Sequence, residues 1–296
     1  MKRIGIVGSD NSHAIAYSRL INVARVAGDD AAVTTIWGQA SERTQEVARI
    51  GDIPTIAPSI DAMLPEVDIV FVVDRHGDLH ADHVLPFLEA GIPAYVDKPL
   101  AISLADCRRI LDAADRTGTF VTSFSSLRIT PETIALVERA REIGDLRAVQ
   151  ITGPCDFASE YGGPFFYATH TIEIAIAILG DGIASLRAQR IGTSVIVNAT
   201  WEGDRAVTLT LLEGAHYVFH AAIFGTNGFL SEQIHADDHG YTAIIHRVLE
   251  GIATNTRPLN NRQLRLPIAI IHAIEESLAH HGTEVTIAPF LGESGV

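Results

Sequence analysis

Lysine is almost missing from this chain. Two lysines, Lys2 and Lys98, stand among 296 residues, and Lys and Arg together number 22 against 36 Asp and Glu. The formal net charge is −14 and the isoelectric point about 5.3. So acidic a balance excludes general binding of nucleic acid or of an anionic membrane, which needs a basic surface. An anionic small molecule stays open, because a pocket can differ in charge from the surface around it. Cysteine is scarce too. Cys107 and Cys155 form no Cys-x-x-Cys pair, which excludes a disulfide framework or a zinc knuckle. No apolar run is long enough to span a bilayer, and MKR leads straight into a strand pattern without a cleavage-type segment. These absences predict a soluble cytoplasmic protein.

What is present is a large apolar fraction, 47%, enough for one large domain or two. The first part alternates short apolar runs with helical patterns. Strands are expected at Arg3–Val7, Ala32–Trp37, Val67–Val73, Pro93–Asp97 and Phe120–Phe124. Helices are expected between them: one capped by Ser12 and stopped at Gly28, then Ser41–Ile50, His80–Ala90 and Ser103–Thr117. This rhythm predicts an α/β fold, an N-terminal Rossmann-type doubly wound parallel sheet over residues 1–124. Ligands bind such sheets at the carboxyl ends of the strands.

The rhythm changes over residues 125–296. A helix starts near Pro131, Leu146–Thr152 reads as a strand, and Phe165–Leu179 is strongly helical. From Ile183 to Ser231 strands follow one another, with hairpin signals at Glu202-Gly203-Asp204, Glu213-Gly214 and Asn227-Gly228. Helices near Gly240–Ala253 and Pro267–His281 close the chain. The expectation is an α+β domain with a mostly antiparallel open sheet and helices on one side, serving substrate binding and oligomerisation.

The turn after the first strand, GIVGSDNSHA, carries a nucleotide-binding pattern with two departures. A dinucleotide turn reads Gly-x-Gly-x-x-Gly. Gly8 takes the first place, while Asp10 and His13 stand in the second and third. Asn11 and Ser12 still offer donors and a cap. Asp10 puts a carboxylate near the expected pyrophosphate, and His13 puts bulk where helix and strand should pack closely. After the second strand, where an acid would bind the ribose, the sequence is Gly38-Gln39-Ala40-Ser41. Ser41 and Arg43 are candidates for a 2′-phosphate, and a plain helix cap explains Ser41 equally well.

Several segments together resemble the Gfo/Idh/MocA oxidoreductases. AYVDKPLA, Ala94 to Ala101, is similar to that family's Glu-Lys-Pro motif with Asp97 in place of Glu. HADHVLPFLEAGIPAYVDKP resembles the His, helix and strand before it, and SSLRITP resembles the Arg-x-x-Pro segment after it. IFGTNGFLS and PIAIIHAIEESLAHHGTEVTI resemble the late strand turn and the final helix. The resemblance runs in order over nearly the whole chain. It implies an NAD(P)-dependent oxidoreductase acting on the CH–OH group of a sugar-like or cyclitol-like polyol, with NAD or NADP as cofactor and a homodimer or homotetramer as assembly.

The resemblance also implies roles. Lys98, followed by Pro99 and preceded by Asp97, lies at a strand end where burial and a charged nicotinamide can bring its ammonium into working range. It is the candidate catalytic residue and a substrate contact. GGPFFYATHTIEIAIAILG resembles the family's Asp-x-Gly-x-His-x-x-Asp helix, with His170 on the His and Glu173 on the last acid, one turn apart. His170 is the second catalytic candidate, as a proton relay. Phe166 replaces the first Asp and cannot accept a proton, and the adjacent Tyr167 offers a polar tip. Arg128 is a candidate for holding a carboxylate or hydroxyls, or for pairing with an acid. His76-Gly77 replaces Pro-Asn of a family loop, and His80 matches a family position; both belong to the expected cofactor site. Thirteen histidines raise a metal reading, notably His216 with His220 and the run His76, His80, His83. No HExxH or comparable set appears, so no metal is expected. Asp10, Gly38 and Phe166 keep open a ligand-binding or regulatory Rossmann protein without dehydrogenase activity, or a redox-neutral lyase or epimerase.

Overall fold

In the computed structural model, which describes residues 1–203 and 205–292, the chain divides into two compact units. One comprises Met1–Phe124 and Tyr241–Leu264, the other Ser125–Gly240 and the residues from Arg265 on. Among the described residues no helix is long and apolar enough to cross a membrane.

The first unit is built on six parallel strands: β1 (Lys2–Val7), β2 (Ala31–Trp37), β3 (Thr55–Ile56), β4 (Ile69–Val72), β5 (Ala94–Val96) and β6 (Val121–Thr122). Their order is β3-β2-β1-β4-β5-β6. β4 is buried along its whole length, as an apolar strand covered on both faces must be. The connections are α1 (Ser12–Ser18), α2 (Ser41–Ile50), α3 (Ile60–Met63), α4 (His80–Glu89) and α5 (Leu104–Thr117). Ser103 caps α5 by accepting from the Asp106 N–H, and Gly118 ends it in the left-handed region. Chain progression reverses on either side of β1, so the ends of β1 and β4 flank the switch point where such sheets bind ligands.

The start of α1 differs from expectation. Asn11, not Ser12, is the cap: its backbone is extended and its side chain accepts from the His13 N–H. The helix does not run to Gly28. It passes into a π-helical turn at Arg19–Val23, and Val23 lies exposed. Asn22 sets that geometry by exchanging hydrogen bonds with the Val33 backbone and donating to the Gly51 carbonyl.

Tyr241–Leu264 was expected in the second domain by its place in the sequence, yet it packs in the first unit. It holds most of α8 (Asp238–Thr254) and the start of α9 (Asn261–Ala279). The Tyr241 ring meets the His13 and Tyr17 rings edge-on, His246 Nε2 bonds the Val26 carbonyl, and Arg257 pairs with Asp115.

The second unit begins with a 3₁₀ turn at Ser126–Arg128 and α6 (Pro131–Ala140), which Thr130 caps with Pro131 in its first turn. A seven-stranded mixed sheet follows: β7 (Leu146–Pro154), β8 (Ile183–Ile191), β9 (Ser194–Trp201), β10 (Arg205–Leu212), β11 (Phe219–Gly225), β12 (Gly228–Ile234) and β13 (Val285–Thr286). The order is β12-β11-β7-β10-β9-β8-β13. β7 is an interior strand, parallel to β10 and antiparallel to β11. Glu213-Gly214 therefore is not a hairpin turn; it opens a connection that crosses β7. Asn227-Gly228 does close the β11–β12 hairpin. Glu202-Gly203 lies in the β9–β10 turn, whose Asp204 is outside the described residues. A short helix, α10 (Ala288–Leu291), follows β13.

α7 (Ala168–Leu179) is buried on almost every side and packs on β7 and β10. Gly153 in β7 permits that approach. A Cβ there would lie 2.2 Å from Thr171 Oγ1 and 2.7 Å from the Phe219 ring. Gly153→Ala is expected to lower the unfolding free energy by about 1–3 kcal/mol, the usual cost of overpacking a tight core. Urea unfolding checks this; a loss under roughly 0.5 kcal/mol, within ordinary surface variation, would contradict it.

Candidate active site

In the first unit, four strand ends bring chemistry together. Gly8 follows β1 with φ +95°, and a Cβ on it would sit 2.6 Å from the Asp74 backbone nitrogen. Only glycine allows the turn after β1 to lie against the segment after β4. Asp10 ties the same two segments by accepting from the Arg75 N–H at 3.3 Å. Arg43 braces the turn from α2, with Nε donating to the Ser9 carbonyl at 3.0 Å.

Asp74 is a buried carboxylate that sequence reasoning passed over. Gln39 Nε2 donates to its Oδ1 and His83 Nδ1 bonds its Oδ2, both at 2.8 Å. Burial opposes its charge, but His83, His80 and Gln39 hold the carboxyl below its ordinary value. The available signal was an Asp directly after a wholly apolar strand. His80 is buried with both ring nitrogens at carbonyls, Pro99 at 2.8 Å and Asp74 at 3.1 Å. It organises two strand-end loops and has no ring nitrogen left for a ligand. His76 bonds Asp78 within its own loop at 2.6 Å.

Asp97 and Lys98 follow β5 and are 2% and 8% exposed. His13 Nδ1 lies 2.7 Å from Asp97 Oδ2. Tyr95 OH donates to Asp97 Oδ1 at 3.3 Å, and Tyr17 OH donates to Tyr95 OH at 3.1 Å. Burial works against the Asp97 charge, but His13, Lys98 and His80 outweigh it and bring the carboxyl down to about 2. Burial pushes the Lys98 ammonium below its ordinary value; Asp97 resists that and the Arg75 charge adds to it. A lysine so held can exchange a proton closer to neutrality than a surface lysine.

In the second unit, Ser125 gathers the residues of α7. Its Oγ is 2.6 Å from His170 Nδ1, and its N–H donates to Glu173 Oε1 at 3.2 Å. Arg128 Nη1 donates to Glu173 Oε2 at 3.0 Å. Arg128 thus supports a buried acid instead of offering a free bidentate fork. Burial raises the Glu173 carboxyl, and Arg128 and the Ser125 N–H counter it. Ser125 was missed because a serine before a turn reads as a cap, and it does also accept from the Leu127 N–H. Phe166 and Tyr167 join an edge-on chain of rings with Tyr217 and Phe219 that reaches His170.

The structure therefore gathers Gly8, Asp10, Asn11, Ser12, His13, Arg43, Asp97, Lys98 and Pro99 around the strand ends of one unit. Arg128, Phe166, Tyr167 and His170 form a group in the other. Ser41 lies exposed at the start of α2, where Gln45 Nε2 donates to its hydroxyl at 3.2 Å. His216 precedes β11 instead of sharing its face with His220, and His220 bonds Ser231 across the strands. Among the described residues no three His, Cys, Asp or Glu side chains are grouped to hold a metal.

A doubly wound parallel sheet with a glycine turn after the strand at its switch point is the architecture of dinucleotide-binding domains. Residues 2–124 match the Gfo/Idh/MocA family model, described as oxidoreductase family, NAD-binding Rossmann fold. An uncharacterised oxidoreductase of Rhizobium meliloti is 29% identical over 153 residues, 50% of this chain and 44% of that protein. Inositol 2-dehydrogenase 3 of Saccharopolyspora erythraea is 30% identical over 130 residues, 43% of this chain and 36% of that protein. The matched region thus spans less than half the length of these relatives. A crystal structure of scyllo-inositol dehydrogenase from Lactobacillus casei with NAD(H) and scyllo-inositol shares the fold, with TM-score 0.84 at 14% identity, over 97% of this chain and 99% of that one.

The Asp97 arrangement has a pH consequence. A carboxyl held at about 2 against an ordinary 3.8 stabilises the fold fully above the ordinary value. That contribution fades as pH falls from 3.8 towards 2. The stability advantage of wild type over Asp97→Asn should be constant near neutrality and shrink through that window. Unfolding midpoints measured across it check the point, and an advantage that does not shrink contradicts it.

Proposed function

We propose that this chain is an NAD(P)-dependent oxidoreductase acting on the CH–OH group of a cyclitol-like or sugar-like polyol. The observation that carries the reading is Lys98, buried at the end of β5 with its ammonium pushed down by burial. The family match over residues 2–124 and the inositol dehydrogenases among the relatives support it.

The residues present fit a nicotinamide dinucleotide. Gly8 to His13 would hold the pyrophosphate and Gly38 to Arg43 the adenosine ribose. No acid stands among Gly38-Gln39-Ala40-Ser41 directly after β2, and Gln39 is turned to Asp74. That leaves both NAD and NADP open, with Arg43 beside the turn. Bound there, the cofactor supplies the acceptor for hydride from the alcohol carbon. Lys98 Nζ, in its neutral form, takes the hydroxyl proton, and in the reverse direction its ammonium returns it. Asp97 stays ionised and keeps a counter-charge beside the lysine. His170, fixed through Nδ1 by Ser125, is proposed to bind a substrate hydroxyl. Phe166 leaves no acceptor at its own position, so a hydroxyl facing it would cost about 1–3 kcal/mol. This favours substrates with an apolar or deoxy edge there.

We further propose a cytoplasmic homodimer or homotetramer. Ile191, Phe224 and Phe229 are large apolar side chains exposed on the sheet of the second unit, which supports association. Light scattering of the eluting protein tests it, and a monomer at every concentration would refute it.

Titration with NAD⁺, NADH, NADP⁺ and NADPH, followed by assays on a panel of cyclitols and sugars, tests the main reading. Lys98→Met should lower kcat by about 10²-fold or more while leaving cofactor affinity within a few-fold. Undiminished kcat would remove Lys98 from the mechanism, and cofactor binding without turnover of any alcohol would favour a non-dehydrogenase role.

Asp10→Asn keeps an acceptor for the Arg75 N–H and removes the charge near the pyrophosphate. It should tighten cofactor binding several-fold at low salt, on the order of 1 kcal/mol, and less as salt rises. Weaker binding in Asp10→Asn would make the Asp10 charge a positive contributor.

A further inference from the structure

We propose that His13 is a positioning residue for Lys98: through the buried carboxylate of Asp97 it fastens the start of α1, where the nucleotide turn lies, to the strand end that carries the lysine. The catalytic consequence rests on the dehydrogenase reading; the positioning itself does not.

A dinucleotide turn needs a small residue where His13 stands, so that helix and strand can pack closely. Here the imidazole fills that space and reaches Asp97 Oδ2 at 2.7 Å, with its side chain 15% exposed. Asp97 Oδ1 has the Tyr95 hydroxyl at a longer 3.3 Å, and that hydroxyl lies equally near the Phe124 carbonyl. His13 is therefore the closer of the two side-chain partners described for this carboxylate. Charge-assisted hydrogen bonds of this length are the strong ones.

The groups around the pair are few. Tyr17 and Tyr241 face the His13 ring, one from α1 and one from α8. Asp97 faces His13 from α1, Tyr95 from its own strand, His80 from α4 and Lys98 beside it. Arg75, from the loop after β4, is the other charge acting on Lys98. An imidazole N–H that shares the Asp97 charge weakens the hold of that carboxylate on the Lys98 ammonium. Without it, Asp97 would stabilise the ammonium more fully and Lys98 would release its proton at higher pH.

Because the chain has two lysines, a protein labelled with ¹³Cε-lysine gives two side-chain signals. Lys98→Met identifies the one from Lys98. His13→Phe keeps a ring and loses the donor, whereas His13→Asn keeps an N–H near the Nδ1 position. The Lys98 midpoint should rise by half a pH unit or more in His13→Phe and stay near wild type in His13→Asn. If His13→Phe fails to fold by circular dichroism, His13→Ala carries the same comparison. In alcohol oxidation the low-pH limb of kcat/KM, where Lys98 becomes protonated, should move with the signal. An unchanged Lys98 midpoint in the donor-free variants overturns the proposal even if polyols are turned over. Shifted midpoints with no turnover of any alcohol leave the positioning standing and defeat the dehydrogenase reading.

Discussion

A carboxylate and an ammonium, adjacent in sequence, are buried together at the end of β5. Buried charges are costly unless paired and hydrogen-bonded, so Asp97 and Lys98 dictate what surrounds them. Asp97 draws His13 out of α1 and the Tyr95 hydroxyl across its own strand. The Tyr17 ring meets the Tyr95 and Tyr241 rings edge-on, and the Tyr95 hydroxyl reaches Asp97. The neighbouring strand end repeats the device, with buried Asp74 held by His83 from α4 and by Gln39 from the end of β2. Much of the histidine excess in this half is explained by these contacts and by His80, which spans two carbonyls. Of the histidines that suggested metal ligands, His80 serves backbone carbonyls and His83 a buried acid.

The second unit solves a similar problem with different parts. Glu173 is a buried acid within a nearly all-apolar helix, and it survives there because Arg128 and the Ser125 N–H meet its two oxygens. Ser125 uses its hydroxyl for His170 at the same time, so one residue orients both an acid and an imidazole one turn apart. Gly153 lets α7 come close enough to β7 for this to happen.

The sequence made the first sheet readable because each strand is a short apolar run bounded by turn residues, and each helix carries its own cap or stop. The apolar stretch around β4 and the helix closed by Gly118 are examples. The second sheet was readable as strands but not as a topology. Hairpin signals are local, and Glu213-Gly214 looks the same whether its flanking strands pair or pass over β7. The return of Tyr241–Leu264 to the first unit was hidden because it depends on rings 200 residues and more apart meeting in space, Tyr241 with His13 and Tyr17. At the candidate site, Lys98 and His170 were legible from motif position. Their neighbours Tyr95 and Ser125, and the buried Asp74 at the next strand end, were not, since each acts through a contact that no spacing announces. Asp10 and His13 were legible as departures from a glycine pattern, and only the structure gives them partners, the Arg75 N–H and Asp97.

The account turns on Lys98 being a buried lysine ready to exchange a proton, not a surface ammonium. The most direct measurement is the pH titration of the Lys98 side-chain signal in the wild-type protein alone. Its midpoint is predicted to fall below 10.5, the ordinary lysine value. A midpoint at or above that value would contradict the account.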